Sequence, residues 1–331
     1  NHIHSVKNQP NAIPYITSYY KKYWGFCVTE KFKKNLKKNY KNNDKFFIKI
    51  ESSFKKNGSL TYGELILPGK SKKEILISTN ICHPQMANNE LSGPLVALAL
   101  AKYFSKKKNE KTLRFVFIPE TIGSITYLNL NFNELKKNII GGYTLSCIGD
   151  QKSYSFIPTK YGSTISDRAA EKAFNQLNIK YKKFSFLKRG SDERQYNSPG
   201  IDLPIASVLR TKYLEFPEYH TSLDNFNLMT KKGLIGGYNV VKKTIQIIMK
   251  EIIPISKITC EPKLQKKNLY NSLSIKDNFK SINLPRIILN FLQYADGKNT
   301  ITDISNYIKI PLHKTVKIYK LLYKNNLLRK E

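Results

Sequence analysis

The sequence is poor in cysteine and in long apolar runs. Only four of its 331 residues are cysteine, they lie far apart, and no CxxC pair occurs. A disulfide framework is therefore not expected, and a reducing compartment fits best, so we predict a cytoplasmic protein. No run of about 18 consecutive apolar residues occurs, so we expect neither a transmembrane helix nor a membrane partner.

The first residues also lack the features of a targeting segment. The opening stretch NHIHSVKNQPNAIPYITSYY has no apolar h-region, so it does not form a signal peptide. It begins without methionine and in mid-pattern. We therefore expect an N-terminally incomplete chain in which residues 1–45 are the remnant of an additional N-terminal or inserted domain.

Acidic residues are few. The chain has 24 Asp and Glu against 56 Lys and Arg, a formal net charge of +32. Such a charge suggests nucleic-acid binding, but the lysines are scattered along the whole chain and form no single stripe. Nucleic acid is therefore not the expected partner, and we expect no sequence-specific DNA binding. A homo-oligomer is compatible with the sequence.

Apolar strand-like runs alternate with amphipathic segments through most of the chain. We predict strands at 46–54, 60–67, 74–79, 112–118, 141–149 and 202–210, and helices at 92–105, 122–137, 165–178 and 231–250. This alternation predicts an α/β fold: an open, mostly parallel or mixed sheet with helices on both faces. We place this catalytic domain at residues 46–255.

A second unit is predicted after Pro254. The stretch PISKITCEPKLQKKN is polar and resembles a linker. Three short amphipathic helices are predicted in 285–297, 300–310 and 311–331. This is a winged helix-turn-helix-like pattern, and we place the domain at residues 262–331.

Rare polar residues stand at the ends of predicted strands. His83 and His220, two of only five histidines, each follow a core strand, and Glu120 and Asp150 end two others. Open α/β sheets bind ligands beyond the carboxyl ends of their strands. Imidazole nitrogens and carboxylate oxygens are ligands of zinc, which activates a bound water whose proton a nearby carboxylate accepts. The alternative is that each is an ordinary loop residue.

Five segments that carry these residues resemble, in order, a family of bacterial aminopeptidase-like proteins. They are STNICHPQMANNELSGPLVALALAKYF, FVFIPETIGSITYL, GGYTLSCIGD, RGSDERQYNSPGIDLPIASVLR and PEYHTSLDNF. The family belongs to the zinc exopeptidase clan of leucyl aminopeptidases and glutaminyl cyclases, and a winged-helix-like unit is its usual tail. The resemblance implies a zinc-exopeptidase-like fold, one or two zinc ions, and metallo-aminopeptidase activity on a peptide or small amine-bearing substrate.

The resemblance also implies roles for the residues at the strand ends. His83 would bind one zinc ion, with Asp150 as its partner, and His220 would bind at the other zinc position. Glu120 matches the acidic strand end that supplies a ligand or the general base. Clan members often have two consecutive Glu there, whereas this chain has one.

A second departure concerns the carboxylate that bridges the two metals. Asn89 stands where the clan's bridging Asp is expected, and Glu90 is one step on. A neutral amide is a poor bridge between two cations. Either Glu90 supplies the oxygen with Asn89 hydrogen-bonding nearby, or only one metal binds well. An alternative function is therefore a catalytically degenerate ligand-binding or regulatory protein that uses the same site and the winged helix.

The stretch GSDERQY is unusually polar, and the resemblance implies that it lines the substrate site, as an Asp-bearing loop does at this place in the clan. Asp192 or Glu193 would hold a substrate amine, and Arg194 a carboxylate, by charge-assisted hydrogen bonds. The alternative is an internal ion pair that fixes the loop. Tyr219 is a further predicted substrate contact. Asp224 either orients the histidine of YHTSLDN or caps the turn that follows it.

Overall fold

The structure is a computed structural model that describes residues 2–18, 22–41, 43–53, 55–267, 269 and 284–329. The chain divides into two compact units, Asn1–Gln246 and Ile247–Glu331. Within the described ranges, no helix has both the length and the apolarity needed to cross a lipid bilayer.

The first unit begins with short elements that precede the sheet. Strands β1 (Ile3–His4) and β2 (Phe26–Cys27) pair in parallel, and helix α1 (Glu30–Asn39) follows. The side chain of Thr29 caps α1 by accepting the backbone N–H of Phe32. The strand predicted at 46–54 is wrong for the part that the structure describes: residues 46–53 form no strand. Apolar alternation alone does not make a strand where no neighbouring strand supplies hydrogen bonds.

A seven-stranded mixed sheet forms the centre of this unit. Its strands are β3 (Gly63–Leu67), β4 (Ser71–Asn80), β5 (Lys111–Ile118), β6 (Ile139–Leu145), β7 (Ser155–Ile157), β8 (Lys182–Lys183) and β9 (Ile205–Leu209), in the order β3-β5-β4-β6-β9-β7-β8. The helices of this part are α2 (Ser92–Phe104), α3 (Ile122–Asn138), α4 (Ile165–Gln176), α5 (Glu193–Tyr196) and α6 (Lys231–Lys250). The predicted α/β class is confirmed.

The middle of the sheet is parallel and buried. β4 pairs in parallel with β5 and β6, and β6 with β9, whereas β3 and β7 run antiparallel to their neighbours β5 and β9. Ile75, Leu76 and Ile77 of β4 are fully buried, as expected for a strand that is covered on both faces. The carboxyl ends of β4, β5, β6 and β9 therefore meet at one edge, where the residues that follow them come together.

The second unit is helical. A short 3-10 helix (Leu264–Lys267) precedes α7 (Leu284–Tyr294), α8 (Ile301–Tyr307) and α9 (Leu312–Lys324). α8 begins with a capping box in which the side chains of Thr300 and Asp303 each accept a backbone N–H from the other residue. Ile288, Phe291 and Leu322 belong to the buried core of this unit. The three helices predicted from the sequence are confirmed.

Candidate metal centre and active site

A group of potential metal ligands lies just beyond the end of β4. The Nδ1 atom of His83 is 2.8 Å from Oε1 of Glu90 and 3.1 Å from Sγ of Cys82. Among the described residues, these three side chains form a group of possible metal ligands whose atoms all lie within 4.8 Å of one another. His83 and Glu90 are buried, and Cys82 is half-buried. The sequence analysis predicted His83 and Glu90 as metal ligands and missed Cys82.

A π-helical turn aims Glu90 at His83. The turn spans Ala87–Leu91, and the N–H of Leu91 donates to the carbonyl of Met86 five residues earlier. Such a turn holds one residue more than an α-helical turn and therefore changes the direction in which the side chains point. Asn89 supports the arrangement, because its Nδ2 donates to Oε1 of Glu90 over 2.7 Å.

Contacts from distant parts of the chain fix both ends of this turn. The carboxylate of Asp224 accepts the backbone N–H groups of Asn88 and Asn89. At the other end, Gly93 lies so close to β4 and β6 that a Cβ atom would stand 2.3 Å from Thr79 Oγ1 and 2.4 Å from the carbonyl of Leu145. Asp224 thus anchors the turn before α2, whereas the sequence predicted that it orients His220 or caps the turn after it.

Burial and neighbouring charges set the protonation of the cluster. Burial alone would lower the pKa of His83, but the hydrogen bond and negative charge of Glu90 outweigh it and raise that pKa. Burial, with His83 nearby, lowers the pKa of His220 to about 4. His220 is therefore neutral near pH 7, which is the form that binds a metal ion. Burial and the charge of Glu90 raise the pKa of the Cys82 thiol to about 12.

Aromatic rings surround the two histidines. The ring centroids of His83 and His220 are 5.1 Å apart, and Tyr219 stacks on His220 at 4.0 Å. Tyr15 lies 4.8 Å from His83 and 5.6 Å from His220. The backbone N–H of Tyr15 donates to the carbonyl of His220 over 2.8 Å, so the N-terminal segment passes beside the site. The sequence analysis missed Tyr15.

Glu120 stands at the end of β5, next to a strained residue. Thr121 has φ 64° and ψ −69°, and the N–H of Ile122 donates to the carbonyl of Glu120, which makes a γ-turn. Oε1 of Glu120 accepts the hydroxyl of Ser191 over 2.6 Å. Burial raises the pKa of Glu120, and the charge of Glu90 adds to the effect. Such a carboxylate is a suitable proton acceptor.

The loop after Gly190 holds two buried carboxylates that differ in their hydrogen bonds. Asp192 is 1% exposed; its Oδ1 accepts the N–H of Thr121 and the hydroxyl of Ser124. Its buried Oδ2 has no hydrogen-bond partner among the described residues. Burial raises the pKa of Asp192 to about 7. An unpartnered buried carboxylate oxygen is costly unless a proton or a cation neutralises it.

The carboxylate of Glu193, in contrast, makes its hydrogen bonds to groups inside the protein. It is fully buried. Its two oxygens accept four donors, which are the N–H groups of Gly190 and Ser191 and the hydroxyls of Ser207 and Tyr213. The substrate contact predicted for Glu193 is therefore not what the structure has, because these bonds use the carboxylate to anchor the loop.

Arg194 lies between Glu120 and a neighbouring cavity. One Nη atom donates to Thr121 Oγ1 over 2.6 Å, while Nε is buried without a partner among the described residues. The positive charge of Arg194 acts to lower the pKa of Glu120. Arg194 also lines a cavity of about 610 Å³, together with Lys160 and Arg189. This position suits the predicted role of binding an anionic group.

Asp150 does not join the cluster at His83. It is 1% exposed, and it accepts the N–H and hydroxyl of Thr211, the N–H of Lys152, and Nδ2 of Asn88. These bonds tie the end of β6 to the end of β9 and to the turn before α2. The carboxylate that lies beside His83 is Glu90, whereas the resemblance implied Asp150.

Comparison with known proteins identifies the family. Residues 10–251 match the profile of a family described as "Domain of unknown function (DUF4910)", and residues 253–330 match a winged helix-turn-helix. A curated protein of Clostridium acetobutylicum, described as "Putative polysaccharide biosynthesis protein with aminopeptidase-like domain", is 38% identical over 306 residues, which are 92% of this chain and 68% of that protein. The chain therefore belongs to this family of bacterial aminopeptidase-like proteins and carries a C-terminal winged helix.

One solved structure agrees with this assignment. A crystal structure described as "putative peptidase" from Clostridium acetobutylicum is 35% identical, with a TM-score of 0.73 over 99% of this chain and 72% of that chain. A zinc aminopeptidase from Bacillus subtilis is also similar, at 18% identity and a TM-score of 0.48 over 55% of this chain and 48% of that chain. The two Clostridium acetobutylicum proteins confirm the resemblance to bacterial aminopeptidase-like proteins that was stated from the sequence.

Proposed function

We propose that the protein is a zinc-dependent aminopeptidase-like hydrolase that cleaves an amide next to a free amine. The observation that carries the proposal is the convergence of His83 and Glu90 beyond β4, beside His220. The substrate is a peptide or a small amine-bearing compound, and the proposed location is the cytoplasm. Neither a membrane nor nucleic acid is a proposed partner.

The side chains present fit a zinc ion. Imidazole nitrogen and carboxylate oxygen are the ligands that zinc takes, with one position left for water in a catalytic site. His83, Glu90 and His220 would hold the ion. Asp192 offers its unpartnered oxygen to a cation, which is either the metal or the substrate ammonium. Bound zinc supplies an acidified water and polarises the substrate carbonyl.

The remaining residues move the proton and orient the substrate. Glu120 accepts the proton of the attacking water, and the hydroxyl of Ser191 holds one of its oxygens in place. Arg194 binds a substrate carboxylate from the side of the cavity. Tyr219 forms a wall of the site through its stacking on His220.

A second candidate function is favoured by Asn89. This neutral side chain donates to Glu90 and supplies no charge that could be shared between two cations. The alternative is a one-metal or metal-free site that binds a ligand and signals through the winged helix.

Metal content and hydrolysis together separate the two candidates. We expect one to two zinc ions per full-length chain, lost in His83→Ala and His220→Ala but kept in His313→Ala, which alters an exposed histidine of the second unit.

We also expect Glu120→Gln to keep its zinc but hydrolyse aminoacyl amides at least about 10²-fold more slowly. Glu110→Gln, a surface change, is the control. A folded wild-type chain that binds no zinc and hydrolyses nothing would favour the ligand-binding alternative.

A further inference from the structure

We propose that Cys82 is a metal ligand and that its thiolate joins His83 and Glu90 in a mixed sulfur, nitrogen and oxygen site. The inference rests on the proposed metal-dependent function and names a ligand for that same site. It starts from the position of Cys82, which is directly before His83 and just beyond the end of β4.

The spacing of the three ligand atoms suits one ion. Sγ of Cys82 is 3.1 Å from Nδ1 of His83 and 3.7 Å from Oε2 of Glu90. Nδ1 of His83 is in turn 2.8 Å from Oε1 of Glu90. With Zn–S near 2.3 Å and Zn–N or Zn–O near 2.0–2.2 Å, ligand atoms of a tetrahedral site stand roughly 3.3–3.6 Å apart. Small side-chain shifts would place all three around one metal ion.

The three ligand atoms face one another inside the protein. Nδ1 of His83 carries at most one proton, yet it faces both Glu90 and Cys82. Glu90 is 5% exposed, and its carboxylate accepts hydrogen bonds from Asn89 and from the N–H and Sγ of Cys82. A dication at the centre of the three atoms would balance the carboxylate and the thiolate and would contact the imidazole at the same time.

Backbone N–H groups already donate to the sulfur and to the carboxylate. The N–H of Glu120 donates to Sγ of Cys82 over 3.3 Å, and the N–H of Cys82 donates to Oε2 of Glu90 over 3.1 Å. Outer hydrogen bonds of this kind orient metal ligands. Because one of the donors follows β5 and the other follows β4, the adjacent strands of the sheet hold the group together.

A sulfur ligand has a consequence for metal choice. Thiolates favour zinc over magnesium, calcium and manganese, which prefer oxygen ligands. We therefore expect the wild type to select Zn²⁺ over Mn²⁺ more strongly than Cys82→Ser does.

Cobalt substitution tests the inference directly. A Co²⁺ ion bound to a thiolate shows a charge-transfer band in the near ultraviolet that nitrogen and oxygen ligands do not give. We expect this band in the Co²⁺-loaded full chain and in Cys147→Ser, which alters a buried cysteine outside the cluster. In Cys82→Ser we expect the band to be absent and zinc affinity to fall at least about tenfold.

A measurement on the wild type guards against a folding defect in the variant. We expect Zn²⁺ to protect Cys82 from alkylation, with the modified cysteines identified by mass spectrometry, while the exposed Cys260 reacts equally with and without zinc. The inference is supported if zinc protects Cys82 and leaves the reaction of Cys260 unchanged.

The outcomes that would contradict the cysteine ligand differ from those that would contradict the metal-dependent function. Bound Co²⁺ without the band, a band that persists in Cys82→Ser, or alkylation of Cys82 unaffected by zinc would overturn the cysteine ligand and leave the proposed hydrolase standing. A full chain that binds neither metal would overturn the proposed metal-dependent function itself.

Discussion

Two residues at the candidate site have backbone conformations that most residues avoid. Thr121 and His220 have φ angles of 64° and 54°. Each such conformation costs on the order of 1–3 kcal/mol and persists only where the surroundings enforce it. Thr121 follows Glu120, and His220 is itself a proposed metal ligand. At these two positions the strained backbone helps to direct side chains of the proposed site.

Asn89 is the residue at which this chain departs most clearly from a two-metal hydrolase. We predict that Asn89→Asp lowers the thermal stability of the metal-free protein, because a second carboxylate would replace the amide that now donates to Glu90. The same variant should gain more stability than the wild type on adding zinc, because binding to the folded state alone raises its stability. Differential scanning calorimetry with and without zinc measures both effects.

Asn89→Ala is the matched control, since it removes the amide without adding charge. We expect it to lose the hydrogen bond to Glu90 and to show no enhanced response to zinc. If Asn89→Asp and Asn89→Ala respond alike to zinc, the side chain of residue 89 does not face the metal.

Asp192 makes the stability of the metal-free protein depend on pH. Its pKa rises from 3.8 in the unfolded chain to about 7 in the folded one. The folded state therefore binds more protons between these values, and stability falls as pH rises through roughly 4 to 7. We predict that Asp192→Asn stabilises the chelator-treated protein at pH 8 and that the gain disappears near pH 4.

Urea unfolding at several pH values measures this dependence. Asp202→Asn is the control, because hydrogen bonding to Lys160 lowers the pKa of that exposed carboxylate. It should not stabilise the protein at pH 8. A gain for Asp192→Asn that is equal at pH 4 and pH 8 would show that ionisation of Asp192 is not its source.

Among the helices and strands, the π-helical turn before α2 decides which carboxylate reaches His83. We predict that deleting Leu91 converts the turn to α-helical spacing, because Asp224 and Gly93 hold its two ends. Glu90 would then take the place of Leu91, whose side chain is 40% exposed. Zinc affinity should fall at least about tenfold, as measured by competition with a chromogenic chelator.

The point variant Leu91→Ala keeps the number of residues in the turn and serves as the control. It should bind zinc like the wild type, and circular dichroism should show the same helix content in all three proteins. Full zinc affinity in a well-folded deletion variant would mean that the π-helical turn is not what directs Glu90.

Across the full chain, two compact units are joined near residue 246. Each has its own buried core: Leu76 and Val116 belong to that of the first, and Ile288 and Phe291 to that of the second. We predict that residues 1–255 fold and keep zinc binding and any hydrolytic activity, because units with separate cores can fold alone. Thermal unfolding and zinc titration of the truncated chain provide the measurement. Insoluble protein would show that the winged helix is needed to cover the first unit.

Local sequence patterns were sufficient for the class of fold and for the edge of the sheet that carries the site. The run EILIST predicted a buried strand, and a residue that directly follows such a strand must lie at its carboxyl end. His83 and Glu120 could be placed there because strand direction and apolar periodicity are local properties. The strands Ser155–Ile157 and Lys182–Lys183 were missed, because three and two residues carry no periodicity.

Which side chains meet was decided by contacts between distant parts of the chain. Glu90, rather than Asp150, lies beside His83 because Asp224, more than 130 positions away, holds one end of a five-residue turn. Asp150 does not reach His83, because its carboxylate accepts the backbone N–H of Thr211. The direction of a side chain in a turn depends on its backbone register, and that register depends on anchors that no local pattern contains.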